Sequence, residues 1–107
     1  MQINISVRRG DLSDAAKEKI TQKVEKLQRY FERLTSIEVI IDLSTADEPK
    51  VDIAVTAEHK QDFAAQFPAA DKKELTSSVD LFGAVDHAIA KLEQQIKKYK
   101  EKIQNRS

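Results

Sequence analysis

Residues 3–34, INISVRRGDLSDAAKEKITQKVEKLQRYFERL, change their apolar period partway along. Ile3, Ile5 and Val7 alternate with Asn4, Ser6 and Arg8, the period of a half-buried strand. Arg9-Gly10-Asp11 breaks that pattern. Ser13 then stands at a helix N-cap position, with Asp14 in the first turn, where a carboxylate suits the helix dipole. Ile20, Val24, Leu27, Phe31 and Leu34 recur three or four residues apart with no Gly or Pro between them. This predicts a helix over about residues 14–34. A strand that feeds an amphipathic helix needs further strands to complete its sheet, and the rest of the chain supplies them.

Ile37, Val39, Ile41 and Leu43 alternate, and Val51, Ile53 and Val55 alternate after a turn that contains Asp47-Glu48-Pro49. The pair reads as a β-hairpin. Residues 59–73, HKQDFAAQFPAADKK, have no clear period and contain Pro68. They are expected to form an extended connection whose Phe63 and Phe67 pack on a sheet edge. Residues 73–78, KELTSS, are the expected fourth strand. Asp80 is placed as the cap of a last helix with the stripe Leu81, Val85, Ala88, Ile89, Leu92, Ile96, Tyr99 and Ile103. The order β-α-β-β-β-α gives an α+β fold. It is a two-layer sandwich with both helices on one face of a four-stranded sheet, and residues 1–107 form a single domain.

Composition removes most catalytic chemistry. Of 107 residues none is Cys, and only two are His and two are Gly. Thiol catalysis, zinc ribbons and glycine-rich phosphate loops are therefore excluded, and few routes to a transition-metal site remain. No nucleophile, base and oxyanion site can be assembled from a motif, so no enzyme activity and no cofactor are expected. No apolar run approaches the roughly 20 residues of a membrane span, and the N-terminus lacks a signal peptide's apolar stretch. A cytoplasmic protein without membrane contact is expected.

The net charge is zero, yet the charges are sorted. Residues 35–79 hold nine acids and four bases, whereas residues 14–34 and 80–107 each hold six bases and four acids. On a helical wheel, Lys19, Lys23, Lys26, Arg29 and Arg33 fall roughly 180–300° from the first helix's apolar stripe, and its acids roughly 120–160° from it. In the second helix Lys91, Lys98 and Lys102 fall on the same hand, beside His87 and Gln94, with Asp86 and Glu93 on the opposite flank. Lys97 and Lys100 break the pattern. A solvated face with alternating i,i+4 pairs is the ordinary arrangement, but like charges at that spacing repel and do not stabilise a helix. The sorted bases point to an anion-binding surface, with a phosphodiester backbone as the natural anion. Lys outnumbers Arg on it, which suits phosphate contact more than base reading. Phe31, Phe82 and Tyr99 lie on or near the apolar stripes, where core packing is expected, and Tyr30 lies near the basic edge. His87 is expected to be solvated on the basic face, and the acidic sheet argues against nucleic-acid binding through its open face.

Three segments resemble the ribosome hibernation promoting factor family, which includes ribosome-associated inhibitor A. They are the opening MQINISVRRGDLSDAAKEKI, the first-helix segment KVEKLQRYFERL at residues 23–34, and DLFGAVDHAIAKLEQQIKKYKEK at residues 80–102, the most specific of the three. The resemblance implies a factor that binds the small ribosomal subunit in its mRNA and tRNA channel and blocks translation under stress. It implies backbone contacts to 16S rRNA by Lys23, Lys26 and Arg29, and by Lys91, Lys98 and the lysines after it. Together with the wheel, the expected contact set is Lys19, Lys23, Lys26, Arg29, Arg33, Lys91, Lys98 and Lys102. The chain departs from the family pattern at Gln94, where Arg is frequent, at Phe82, where Tyr is common, and at residues 59–72, which look like an insertion. The resemblance is to a short form, expected to be monomeric off the ribosome. A double-stranded-RNA-binding-like module and a protein-interaction module using the acidic sheet or the Phe63–Phe67 loop are the alternatives.

Overall fold

The computed structural model describes residues 2–30, 33–43, 49–58, 61–67 and 81–104. The elements are β1 (Gln2–Arg8), α1 (Asp14–Tyr30), β2 (Leu34–Asp42), β3 (Lys50–Ala57), β4 (Gln61–Phe67) and α2 (Leu81–Gln104). They form one four-stranded sheet in the order β1-β2-β3-β4. β1 and β2 are parallel, and the two remaining pairs are antiparallel. This is the expected α+β sandwich in the expected order.

Period-2 alternation builds the sheet's inner face as three rows across the four strands. Ile3, Ile37, Val55 and Phe63 form one row; Ile5, Val39, Ile53 and Ala65 the next; Val7, Ile41, Val51 and Phe67 the third. The β2, β3 and β4 members of every row are buried. The β1 members are half-buried, as befits an edge strand. Onto this face α1 sets Ile20, Val24 and Leu27, and α2 sets Val85, Ala88, Ile89, Leu92 and Ile96, all buried. Leu81, Phe82 and Tyr99 pack at the margin of that core.

Local chemistry sets the boundaries. The Ser13 Oγ accepts a hydrogen bond from the Ala16 amide at 3.1 Å, so Ser13 is the N-cap of α1. Just before it, Arg9 has φ 57°. A Cβ at Gly10 would lie 2.8 Å from the Leu43 Cβ, so only glycine lets the chain pass there without a shift.

Two expectations are corrected. The fourth strand is Gln61–Phe67, inside the segment read as an insertion. Phe63, Ala65 and Phe67 are buried while Asp62, Ala64 and Gln66 are exposed. The alternation is real but muted, because Ala occupies both an inward and an outward position. Residues 73–78 and Asp80 lie outside the described residues, as does Phe31. The first helix also ends earlier than expected, at Tyr30. Leu34 opens β2 and is buried there, and Arg33 lies in the turn before it. The Arg33 carbonyl accepts a hydrogen bond from the Glu58 amide at 3.0 Å, so its backbone is held in strand-end geometry.

Candidate nucleic-acid interface

The two helices run parallel. Lys19 lies beside Phe82, and Lys23 beside Asp86, so residue numbers rise together along the pair. Parallel neighbours on one sheet face turn opposite flanks toward each other. The basic flank of α1 therefore faces the acidic flank of α2, and the basic flank of α2 faces outward over β4. The shared handedness visible in the sequence produces two basic strips, not one merged face.

The first strip borders the groove between the helices. The Lys19 ammonium sits 4.3 Å from the centroid of the Phe82 ring, a cation–π contact. The Lys23 ammonium donates to Asp86 Oδ1 at 2.9 Å and to Oδ2 at 3.1 Å. Only 19% of the Lys23 side chain is exposed, against 57% for Asp86. Lys23 is therefore the bridging cation between the helices. Lys26 and Arg29 follow on α1 and are exposed. Arg33 is exposed but has left the helix, so it does not extend the strip as expected.

The second strip runs along the outer flank of α2. The Lys91 ammonium donates to the Gln66 carbonyl at 3.0 Å and lies 5.6 Å from the Phe67 ring centroid. Gln95 Nε2 donates to the Ala64 carbonyl at 2.7 Å. These two side chains cap outward carbonyls of the edge strand β4. Lys98 and Lys102 continue the strip and are exposed. On the offset set by Lys23 and Asp86, α2 extends roughly three turns past the end of α1. Lys97, Lys98 and Lys102 are exposed on that extension, and Lys100 is half-buried. Lys97 and Lys100 break the wheel pattern because they follow Asp86 and Glu93 down the flank toward α1, at levels α1 does not reach.

The open face of the sheet is different. Glu38 on β2, Asp52 on β3 and Asp62 on β4 are exposed there, with Ala54 and Ala64 between them. Both described strand phenylalanines, Phe63 and Phe67, lie on the helix-covered side, so this face offers no aromatic platform. Arg8 on β1 and Lys50 on β3 are exposed on the same face, so it carries a small excess of acids, whereas the helix layer carries an excess of bases.

One aromatic arrangement was not foreseen. The His87 imidazole stacks on the Phe67 ring, with centroids 4.8 Å apart and planes inclined by 13°. Phe63 and Tyr99 meet edge to face at 5.5 Å. The signal available in the sequence was the pair of phenylalanines in a segment otherwise unlike a solvated loop. Among the described residues no group of three or more His, Asp or Glu side chains is placed to hold a metal ion. No described helix is long and apolar enough to cross a membrane.

The family model described as Sigma 54 modulation protein / S30EA ribosomal protein matches residues 3–104. The chain belongs to this family. Among its relatives is the ribosome hibernation promoting factor of Azotobacter vinelandii, 33% identical over 95% of this chain and 85% of that protein. The protein of the same name from Escherichia coli strain K12 is 25% identical over 96% of this chain and 97% of its own length. A solved structure of a ribosomal subunit interface protein from Coxiella burnetii superposes with a TM-score of 0.74 at 26% identity, covering 94% of this chain and 99% of that one. The S30EA assignment bears out the family resemblance carried by the three segments.

Proposed function

We propose that this S30EA family member is a ribosome hibernation factor that occupies the decoding channel of the small subunit and sterically excludes mRNA and tRNA. Lys19, Lys26, Arg29, Lys91, Lys98 and Lys102 supply the contacts to the 16S rRNA backbone, with Lys23 beside them in its bridge to Asp86 and Arg33 contributing from the turn. The observation that carries this reading is the division of charge between the layers. Two parallel basic strips on the helix side favour a polyanion, while on the sheet side Glu38, Asp52 and Asp62 outweigh Arg8 and Lys50. The domain thus has one orientation on an RNA surface. The names of its relatives favour the ribosome as the source of that RNA. In this reading the protein acts as a cytoplasmic monomer, without catalysis and without a cofactor, and residues 1–107 are one binding unit.

The test is co-sedimentation of the purified protein with isolated 30S subunits across a salt series, with duplex RNA as a control. Binding to 30S that weakens as salt rises, with little binding to duplex RNA, is the expected result. Failure to bind 30S at low salt overturns the reading, and stronger binding to plain duplex RNA replaces it with a double-stranded-RNA-binding module.

A further inference from the structure

Phe67 is the last residue of β4 and is buried, 2% exposed. The imidazole of His87 lies nearly parallel to it at 4.8 Å. His87 is itself exposed. One face of the imidazole is therefore packed on a buried ring, while His87 stays open to solvent. One helical turn further along, the Lys91 ammonium is held beside the stack by the Gln66 carbonyl.

Three properties coincide here: a planar π surface, a buried ring packed behind it, and a cation beside the stack. A rigid platform loses little conformational entropy when a second ring settles on it. Nucleobases stack on aromatic side chains with little regard to sequence, and each such contact is strong enough to matter for affinity. A neighbouring ammonium suits the phosphate attached to the stacked base.

We propose that the outer face of His87 is a stacking site for one unpaired RNA base, with Phe67 as its backing and Lys91 beside the flanking phosphate. This deepens the ribosome-binding reading and rests on it for the identity of the ligand as RNA. It adds a contact that backbone electrostatics does not supply. The second basic strip would then discriminate single-stranded or splayed-out RNA from continuous duplex, whose bases are already stacked.

The competing role for His87 is only to cover Phe67. Two substitutions separate the roles. His87→Leu still covers Phe67 but has no π face, whereas His87→Tyr keeps one. The probe is a ten-nucleotide single-stranded RNA carrying 2-aminopurine at its centre, measured beside the same strand with a central abasic run. Wild type and His87→Tyr are expected to bind the intact strand with quenching of the fluorophore, and His87→Leu to bind about tenfold more weakly. The abasic strand should bind wild type as weakly as the intact strand binds His87→Leu. Equal affinity of wild type and His87→Leu overturns the proposal, as does equal affinity for the intact and abasic strands. So does equal loss in His87→Leu and His87→Tyr, with both variants shown folded by circular dichroism. The 30S co-sedimentation is scored separately. Loss of 30S binding with base stacking intact sinks the ribosome reading alone, and 30S binding without any His87 effect on the oligonucleotide sinks the stacking site alone.

Discussion

Lys23 and Asp86 join the two helices, the Lys23 ammonium donating to both carboxylate oxygens of Asp86 at 2.9 and 3.1 Å. The pair sits where the basic flank of α1 meets the acidic flank of α2. A basic flank that the proposed function assigns to RNA thus also serves the fold. Asp86 neutralises part of the first strip, leaving Lys26 and Arg29 as its exposed end.

A double-mutant cycle measures that contact. Lys23→Gln and Asp86→Asn should each lower stability in urea unfolding, with a coupling energy of about 0.2–1 kcal/mol, because Asp86 is largely solvated and water screens the pair. The charge-swapped protein, Lys23→Asp with Asp86→Lys, should recover most of that coupling. A coupling energy of zero would show that the bridge does not hold the helices together.

Lys26→Glu with Arg29→Glu tests the first strip without touching the bridge. Both side chains are exposed, so the unfolding midpoint should stay within experimental error of wild type. Affinity for 30S should fall, and the log–log salt slope should flatten by about two as two phosphate contacts are lost. An unchanged slope in a folded variant would remove these residues from the interface.

Ile96 is fully buried on the core-facing side of α2. Ile96→Ala should cost about 2–5 kcal/mol by leaving a cavity, and Ile96→Asp should abolish cooperative unfolding by placing a carboxylate there. Thermal melts followed by circular dichroism read both. A cooperative Ile96→Asp protein would contradict the α2 register.

Gln95 tests the protection of the sheet edge. Its amide donates to the Ala64 carbonyl, an outward group of β4. Gln95→Leu removes that donor and should raise the tendency of the protein to associate through β4, with a modest loss of stability of about 1 kcal/mol. Light scattering against concentration would detect it. A variant that remains as monodisperse as wild type would show that Lys91 alone suffices to guard the edge.

Much of the fold was legible because period carries it. Ile3 to Val7, Ile37 to Ile41 and Val51 to Val55 alternate with large β-branched residues, and the stripes of α1 and α2 repeat without interruption. β4 was missed where the same rule lost contrast. Alanines at 64 and 65 bury or expose so little apolar area that neither face stands out, and only the register against β3 settles which side is inward. Leu34 misled for a related reason. It continues the spacing of the helical stripe, yet the chain needs it to start the β2 row that ends in Ile41.

The site was legible as a set of residue types and illegible as a set of contacts. Sequence alone determined that bases gather on one hand of each helix and acids on the middle strands, because helical and strand periods are local properties of the backbone. It could not determine what each flank meets. That depends on the direction in which the second helix crosses the sheet, which the register of β4 and the core packing decide. Only the tertiary structure made Lys23 the partner of Asp86, and set His87 flat against Phe67 from a strand twenty residues earlier. Those pairings follow from bringing distant segments together over one hydrophobic face, and no local pattern encodes them.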